Sequence, residues 1–343
     1  MRNTIVIIAL ISSLSSTNCQ TFKGTVYDRS TDSTLSFAVI YISGTSIGTA
    51  ADKHGNFKLD ISKYSSMPIT ISLIGYYSTT ISEHSSNKMY HIYLSPKIKE
   101  LNEVLVKAKS NWNRNLRIFK REFLGESENA SECDILNEKD LRFHYNPDSG
   151  ALSAFSLKPI LIHNKALAYT ITYYLDKFNY SSTTNELGQL TESFIMLGNY
   201  LFKDELLTLD ESERRQVEER RKSTYLGSRM HFFRLLYQGN LIQSRKYHVL
   251  LSDDNLLSKS FSIGSKAPIY SNSLVFKNDS SSGYIKNKGD LIVKYRLNSI
   301  ITVKMDSVYF EKDGYYDPIG VDFSGAMSKQ RIGDLLPFEY LMN

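Results

Sequence analysis

The chain has 343 residues, 41% hydrophobic and 22% charged, which supplies enough apolar material for two domains and excludes a wholly disordered polypeptide. Its formal charge of +5 is spread thinly along the sequence, without the concentrated basic stripe that a nucleic-acid binder needs, so no nucleic-acid partner is expected. Tyr occurs 23 times against 17 Phe and 1 Trp, and with strong alternation this usage points to a mainly β protein.

Residues 1–19 read as a signal peptide. Arg2 provides the positive end and Ile5 to Leu14 a short apolar core, too short to span a bilayer. Thr17 and Cys19 place small residues at −3 and −1 before Gln20. Lipidation of Cys19 is the alternative, but Asn18 stands where a lipoprotein site carries a smaller residue. Cleavage leaves Cys133 as the one cysteine, so stability has to come from packing and not from an internal disulfide. Cys133 sits between Glu132 and Asp134, whose carboxylates disfavour a thiolate nucleophile.

From Thr21 to Ser95 the chain reads as six or seven short strands with turns between them, the pattern of a β-sandwich. Phe22 to Tyr27, Ala38 to Ser43, Asn56 to Ile61, Ile69 to Leu73 and Met89 to Leu94 are the clearest runs. Within this region GTSIG, Gly44 to Gly48, matches the G-x-S-x-G nucleophile elbow. An elbow needs a helix behind its serine. Here Asp52-Lys53-His54-Gly55-Asn56 follows, which is hairpin chemistry with Gly55 placed for positive φ. Ser46 is therefore expected in a turn and not as a catalytic serine. Calcium is not expected at Asp52, Asn56 and Asp60 either, because His54 and Lys63 occupy positions where an EF-hand loop needs oxygen donors.

These residues carry a resemblance. Gly24-x-Val26, Ala38-x-Ile40-x-Ile42-x-Gly44-Thr45, Gly48-Thr49, Asp52-x-x-Gly55-x-Phe57-x-Leu59 and Ser72-x-Ile74-Gly75-Tyr76 resemble the carboxypeptidase-regulatory-like domain, a transthyretin-like sandwich of bacterial envelope proteins. Ala51 and Ser36 depart from the family's usual Thr and Pro. The resemblance implies a non-catalytic module, similar to the one that precedes TonB-dependent outer-membrane receptors, and Leu101 to Val106 looks like the segment that follows it there. A zinc peptidase site is not expected: His54, His84, His91, His144, His163, His231 and His248 include no H-x-x-E pair.

Residues 96–110 read as a linker and 111–343 as a larger, β-rich α+β domain with about three helices. Asn111 to Leu124 is predicted helical from Trp112, Leu116, Phe119 and Phe123, ending at Gly125. Arg114, Arg117 and Arg121 share another face, solvated or, in the sharper version, in peripheral contact with acidic lipid. Leu167 to Phe178 alternates as a strand. Asp210 and Glu213 form a capping box for a polar helix with Glu211/Arg215 and Glu218/Lys222 pairs. Ser228 starts a second, mostly apolar helix ending at Gly239-Asn240, with His231 and Arg234 its polar groups. Leu291 to Leu297 and Ile300 to Phe310 are predicted strands joined by a turn at Asn298-Ser299.

No catalytic, cofactor-binding or metal-ligating residue is assigned, and no cofactor is expected. The expectation is a secreted, non-enzymatic envelope protein, periplasmic or outer-membrane associated, that binds or scaffolds. Its partner would be an envelope protein or outer-membrane receptor, with a glycan or peptide as a further ligand class. The alternative is a hydrolase with an unrecognised site in 111–343.

Overall fold

The computed structural model describes residues 20–85, 88–97, 111–184, 190–241, 247–251, 275–277, 281–286 and 289–342. The expected signal peptide, and the linker from residue 98 onward, lie outside the described residues.

The N-terminal lobe is a seven-stranded sandwich. β1 (Thr21–Asp28) lies between β4 (Asn56–Asp60), antiparallel to it, and β7 (Met89–Leu94), parallel to it. The second sheet runs β3 (Gly48–Ala50), β2 (Val39–Ile42), β5 (Ile69–Ser72), β6 (Thr79–Ile81). Alternate residues Phe22, Val26, Ile40, Ile42, Phe57, Leu59, Ile69 and Ile71 meet between the sheets, as the period of two requires. The expected turn at Asp52 is formed as a side-chain-braced loop. One Asp52 carboxylate oxygen accepts the N–H groups of His54 (2.8 Å) and Asn56 (2.9 Å), and Gly55 takes φ +80°.

Residues 111–342 contain two further buried clusters. The first packs α1 (Trp112–Leu124) and the short turn α2 (Glu128–Ser131) on a six-stranded sheet. That sheet comprises β8 (Cys133–Ile135), β9 (Arg142–Asn146), β10 (Ala151–Phe155), β11 (Ile160–Asn164), β12 (Tyr169–Thr184) and β13 (Leu190–Asp204). Leu116, Phe119 and Phe123 form the buried stripe of α1, and Gly125 at φ +104° ends it. Phe119 stacks on Phe123 at 4.7 Å and meets Phe178 at 4.8 Å. Along β12 the buried positions run Tyr169, Ile171, Tyr173, Leu175 and then Phe178, Tyr180. The phase slips by one because a bulge between Leu175 and Lys177 inserts an extra residue against β13.

α3 (Glu211–Tyr225) follows, and α4 (Arg229–Gln238) then enters the third cluster. Two antiparallel sheets enclose that cluster. One orders β14 (His248–Leu251), β17 (Gly289–Tyr295), β18 (Leu297–Val303), β20 (Val321–Gly325); the other orders β15 (Val275–Lys277), β16 (Ser282–Ile285), β19 (Val308–Glu311). The predicted turn at Asn298-Ser299 is displaced. Tyr295 pairs with Leu297 around Arg296, at φ +55°, and Ser299 is buried inside β18. A non-glycine left-handed residue gives no compositional turn signal, whereas the Asn-Ser pair gives a false one. The run Ile300 to Phe310 is likewise two strands, β18 and β19.

The C-terminal segment threads through all three clusters. Met327 lies in the third, Ile332 and Leu336 in the second, and Phe338 packs against the sandwich core.

Candidate functional site

GTSIG is where the sandwich meets the rest of the chain. Ser43 to Thr45 lies along the outer edge of β13: the Gly44 N–H donates to the Tyr200 carbonyl (2.9 Å) and the Phe202 N–H to the Thr45 carbonyl (2.8 Å). Thr45 thereby bridges Leu201 in parallel. From the other side the Phe338 N–H donates to the Gly44 carbonyl (2.9 Å). Gly44 has φ +80°, and a Cβ there would overlap the Phe338 ring, so both backbone and space require glycine. Ser46 lies in a turn, as expected, and is followed by strand β3 and not by the helix that an elbow needs. Its N–H (2.6 Å) and hydroxyl (2.8 Å) both donate to Oε1 of Glu339. The sheet face beside this loop is also covered. Tyr41 stacks on Tyr174 at 5.4 Å, and the buried Lys97 donates to the Leu175 carbonyl at the β12 bulge.

Beside the seam lies a cleft of about 320 Å³, within the size range of small-ligand sites. Tyr169 and Phe202 form its apolar floor, Ser46 and Glu339 one wall, and Glu218, Glu219, Arg221 and Lys222 of α3 the other. Arg221 is almost fully buried. Its Nε donates to the Leu167 carbonyl (2.8 Å), one Nη donates to the Ala168 carbonyl (3.1 Å), and the two Nη atoms grip Asp204 at 2.8 and 3.0 Å. Its guanidinium stacks 3.8 Å from the centre of the Tyr169 ring. This fork needs the planar geometry of arginine. Burial pushes the Tyr169 phenol well above its ordinary range, so Tyr169 stays a neutral hydroxyl.

A second, open polar groove of about 830 Å³ runs between α1, α2, α3 and the C-terminal segment. Its charges are largely engaged: Arg220 with Glu132 at 2.9 Å, Arg121 with Glu122 at 2.6 Å. Oδ1 of Asp334 accepts from Ser127 (2.7 Å) and Asn129 (3.0 Å), while burial raises this carboxyl above its ordinary range.

The other residues singled out in the sequence find structural partners. Cys133 is buried, its Sγ donates to the Asn129 carbonyl at 3.3 Å, and burial followed by Asp334, Asp134 and Glu132 pushes its thiol up to about 12. His231 is buried, and its Nδ1 accepts the Gly227 N–H and lies 3.1 Å from the Tyr247 hydroxyl. Arg234 donates to the carbonyls of Asp313, Phe338 and Tyr340, tying α4 to the C-terminal segment. Arg114 lies over Tyr145 and Arg121 over Tyr180, so two of the three arginines of α1 are engaged with aromatic rings. The capping box of Asp210 and Glu213 forms, as does the Glu211–Arg215 pair at 2.8 Å. The Glu218–Lys222 pair does not: Lys222 reaches Glu219 instead, and Glu218 stands on the cleft rim. The polar helix thus supplies a cleft wall. The sequence signal for it was weak, an arginine in register with the one buried aliphatic residue, Val217, of an otherwise polar helix.

Among the described residues no group of three or more His, Cys, Asp or Glu is placed to hold a metal, and no helix is long and apolar enough to cross a membrane. Residues 22–106 match the CarboxypepD_reg-like domain. The N-terminal lobe is thus a carboxypeptidase-regulatory-like module, a non-catalytic domain frequent in envelope proteins, and it accounts for about a quarter of the chain. No curated protein matches the sequence.

Proposed function

We propose that this is a secreted, non-enzymatic envelope protein that binds a partner and holds it in fixed orientation, as an accessory to an outer-membrane receptor or uptake system. The observation that carries the proposal is the seam. The regulatory-like module is docked by backbone hydrogen bonds to β13 and to the C-terminal segment, and the cleft beside that junction draws its walls from both lobes. Such a composite surface exists only while the lobes are locked together, which suits a rigid adaptor. A glycan or a peptide fits the cleft's aromatic floor and mixed-charge walls. The test is capture from native envelopes on immobilised full-length protein, comparing wild type with Glu218→Arg, a charge reversal on the cleft rim. Selective retention of an outer-membrane receptor by wild type supports the proposal. Equal retention by both proteins, or hydrolysis of general ester or peptide substrates by the purified protein, refutes it.

A further inference from the structure

The outer edge of β13 is only partly used. Tyr200 and Phe202 turn their backbone groups away from β12, and Ser43 to Thr45 takes them up in parallel. A strand has a period of two, and the bulge lies in β12, not in β13. The backbone N–H and C=O groups of Gly198, Met196 and Phe194 therefore face the same edge. No hydrogen bond among the described residues takes them. Between them Ile195 and Leu197 stand on the outer face, 43% and 55% exposed. An extended edge with unpaired donors and apolar side chains is a template for another strand.

We propose that the Phe194–Gly198 edge of β13 receives an extended peptide segment of a partner protein, added as a parallel strand in line with Ser43–Thr45. The molecule already docks a backbone segment this way on the adjoining rungs, which sets both the direction and the end point of the site. Main-chain hydrogen bonds provide affinity, and apolar β-branched residues at alternate positions cover Ile195 and Leu197. At the open end Glu192 accepts from the Tyr180 hydroxyl through Oε1 (2.7 Å), which also lies 3.9 Å from Arg121, and its exposed carboxylate attracts a basic residue at the peptide's N-terminal end. The site is separate from the cleft and does not depend on it.

The probe is a fluorescent peptide, an acetylated lysine followed by alternating valine and threonine. Titration into the full-length protein should show saturable binding, and hydrogen exchange should slow at least tenfold for the outward amides of Phe194, Met196 and Gly198. Met196→Pro removes an outward N–H that bonds to none of the described residues and should weaken binding at least tenfold while leaving the cooperative melt in place. Ile195→Lys with Leu197→Lys leaves the backbone intact and tests the apolar face, with the same loss expected. Binding unchanged in both variants overturns the proposal. So does concentration-dependent dimerisation of the peptide-free protein that Met196→Pro abolishes, because the edge then belongs to a second copy.

Discussion

Ser46 and Glu339 lie 293 residues apart, and a single carboxylate oxygen of Glu339 accepts both the backbone N–H and the hydroxyl of Ser46, at 2.6 and 2.8 Å. The serine of a nucleophile-elbow sequence is thus a fastening between the regulatory-like module and the C-terminal segment. Ser46→Ala removes one of the two bonds and should cost about 0.5–1.5 kcal/mol. Glu339→Ala removes both and should cost more. Urea melts of the full chain measure the order, and ester turnover that vanishes in Ser46→Ala would restore the catalytic interpretation.

Gly55 takes φ +80°, and a Cβ there would sit 2.9 Å from the Val26 carbonyl oxygen. Gly55→Val should destabilise the sandwich by roughly 1–3 kcal/mol, whereas exposed Lys53→Ala should cost no more than about 0.5 kcal/mol. Calcium should leave the wild-type melting temperature unchanged, since the Asp52 carboxylate already serves two backbone N–H groups. Thermal melts with and without calcium check both statements.

Arg221→Ala leaves the Leu167 carbonyl without the donor Arg221 supplies, takes one of two donors from the Ala168 carbonyl, which keeps the Glu205 N–H, and removes the cation that grips Asp204. A loss of about 2–4 kcal/mol is expected. Arg221→Lys should recover less than half of it, because an ammonium reaches neither the bidentate carboxylate geometry nor the stack on Tyr169. Denaturant midpoints of the two variants compare these costs.

The carboxyls of Asp28 and Asp52 lie below their ordinary range. Asp28 is lowered first by the Tyr76 hydroxyl, at 2.7 Å, and Asp52 first by the Asn56 N–H. A depressed folded-state pKa means that the unfolded chain binds the proton more readily, so this stability is present above the unfolded value and is lost as pH falls through the folded one. The melting temperature should therefore drop below about pH 4. Asp52→Asn should make that drop shallower, measured by calorimetry across the acid range.

Asp334 has the opposite sign, since burial raises its pKa and the charged form is the costly one. Asp334→Asn keeps an acceptor oxygen for Ser127 and Asn129 without the charge, so its stability should stay within about 0.5 kcal/mol of wild type or exceed it. Asp334→Ala orphans both donors and should lose about 1–3 kcal/mol. A melt in which the asparagine variant is the weaker of the two contradicts this account.

Features that depend on short spacing are legible in the chain itself. The period of two in β1, β4 and β5, the stripe of Leu116, Phe119 and Phe123, the Asp210 capping box, the Ser228 start of α4 and the positive φ of Gly55 are all set by neighbours within a few residues. The match over residues 22–106 rests on the same local patterning. Tertiary structure alone decided which surfaces meet. Nothing near Ser46 announces Glu339, and nothing in a helix of charged residues announces that Arg221 will be buried on Tyr169. The bulge in β12 and the turn at Arg296 escaped because each depends on what the paired strand demands and not on turn-forming residues. The seam and the cleft are made of contacts between residues distant in sequence, where one hydrogen bond or one stacked ring leaves no periodic trace for local patterning to carry.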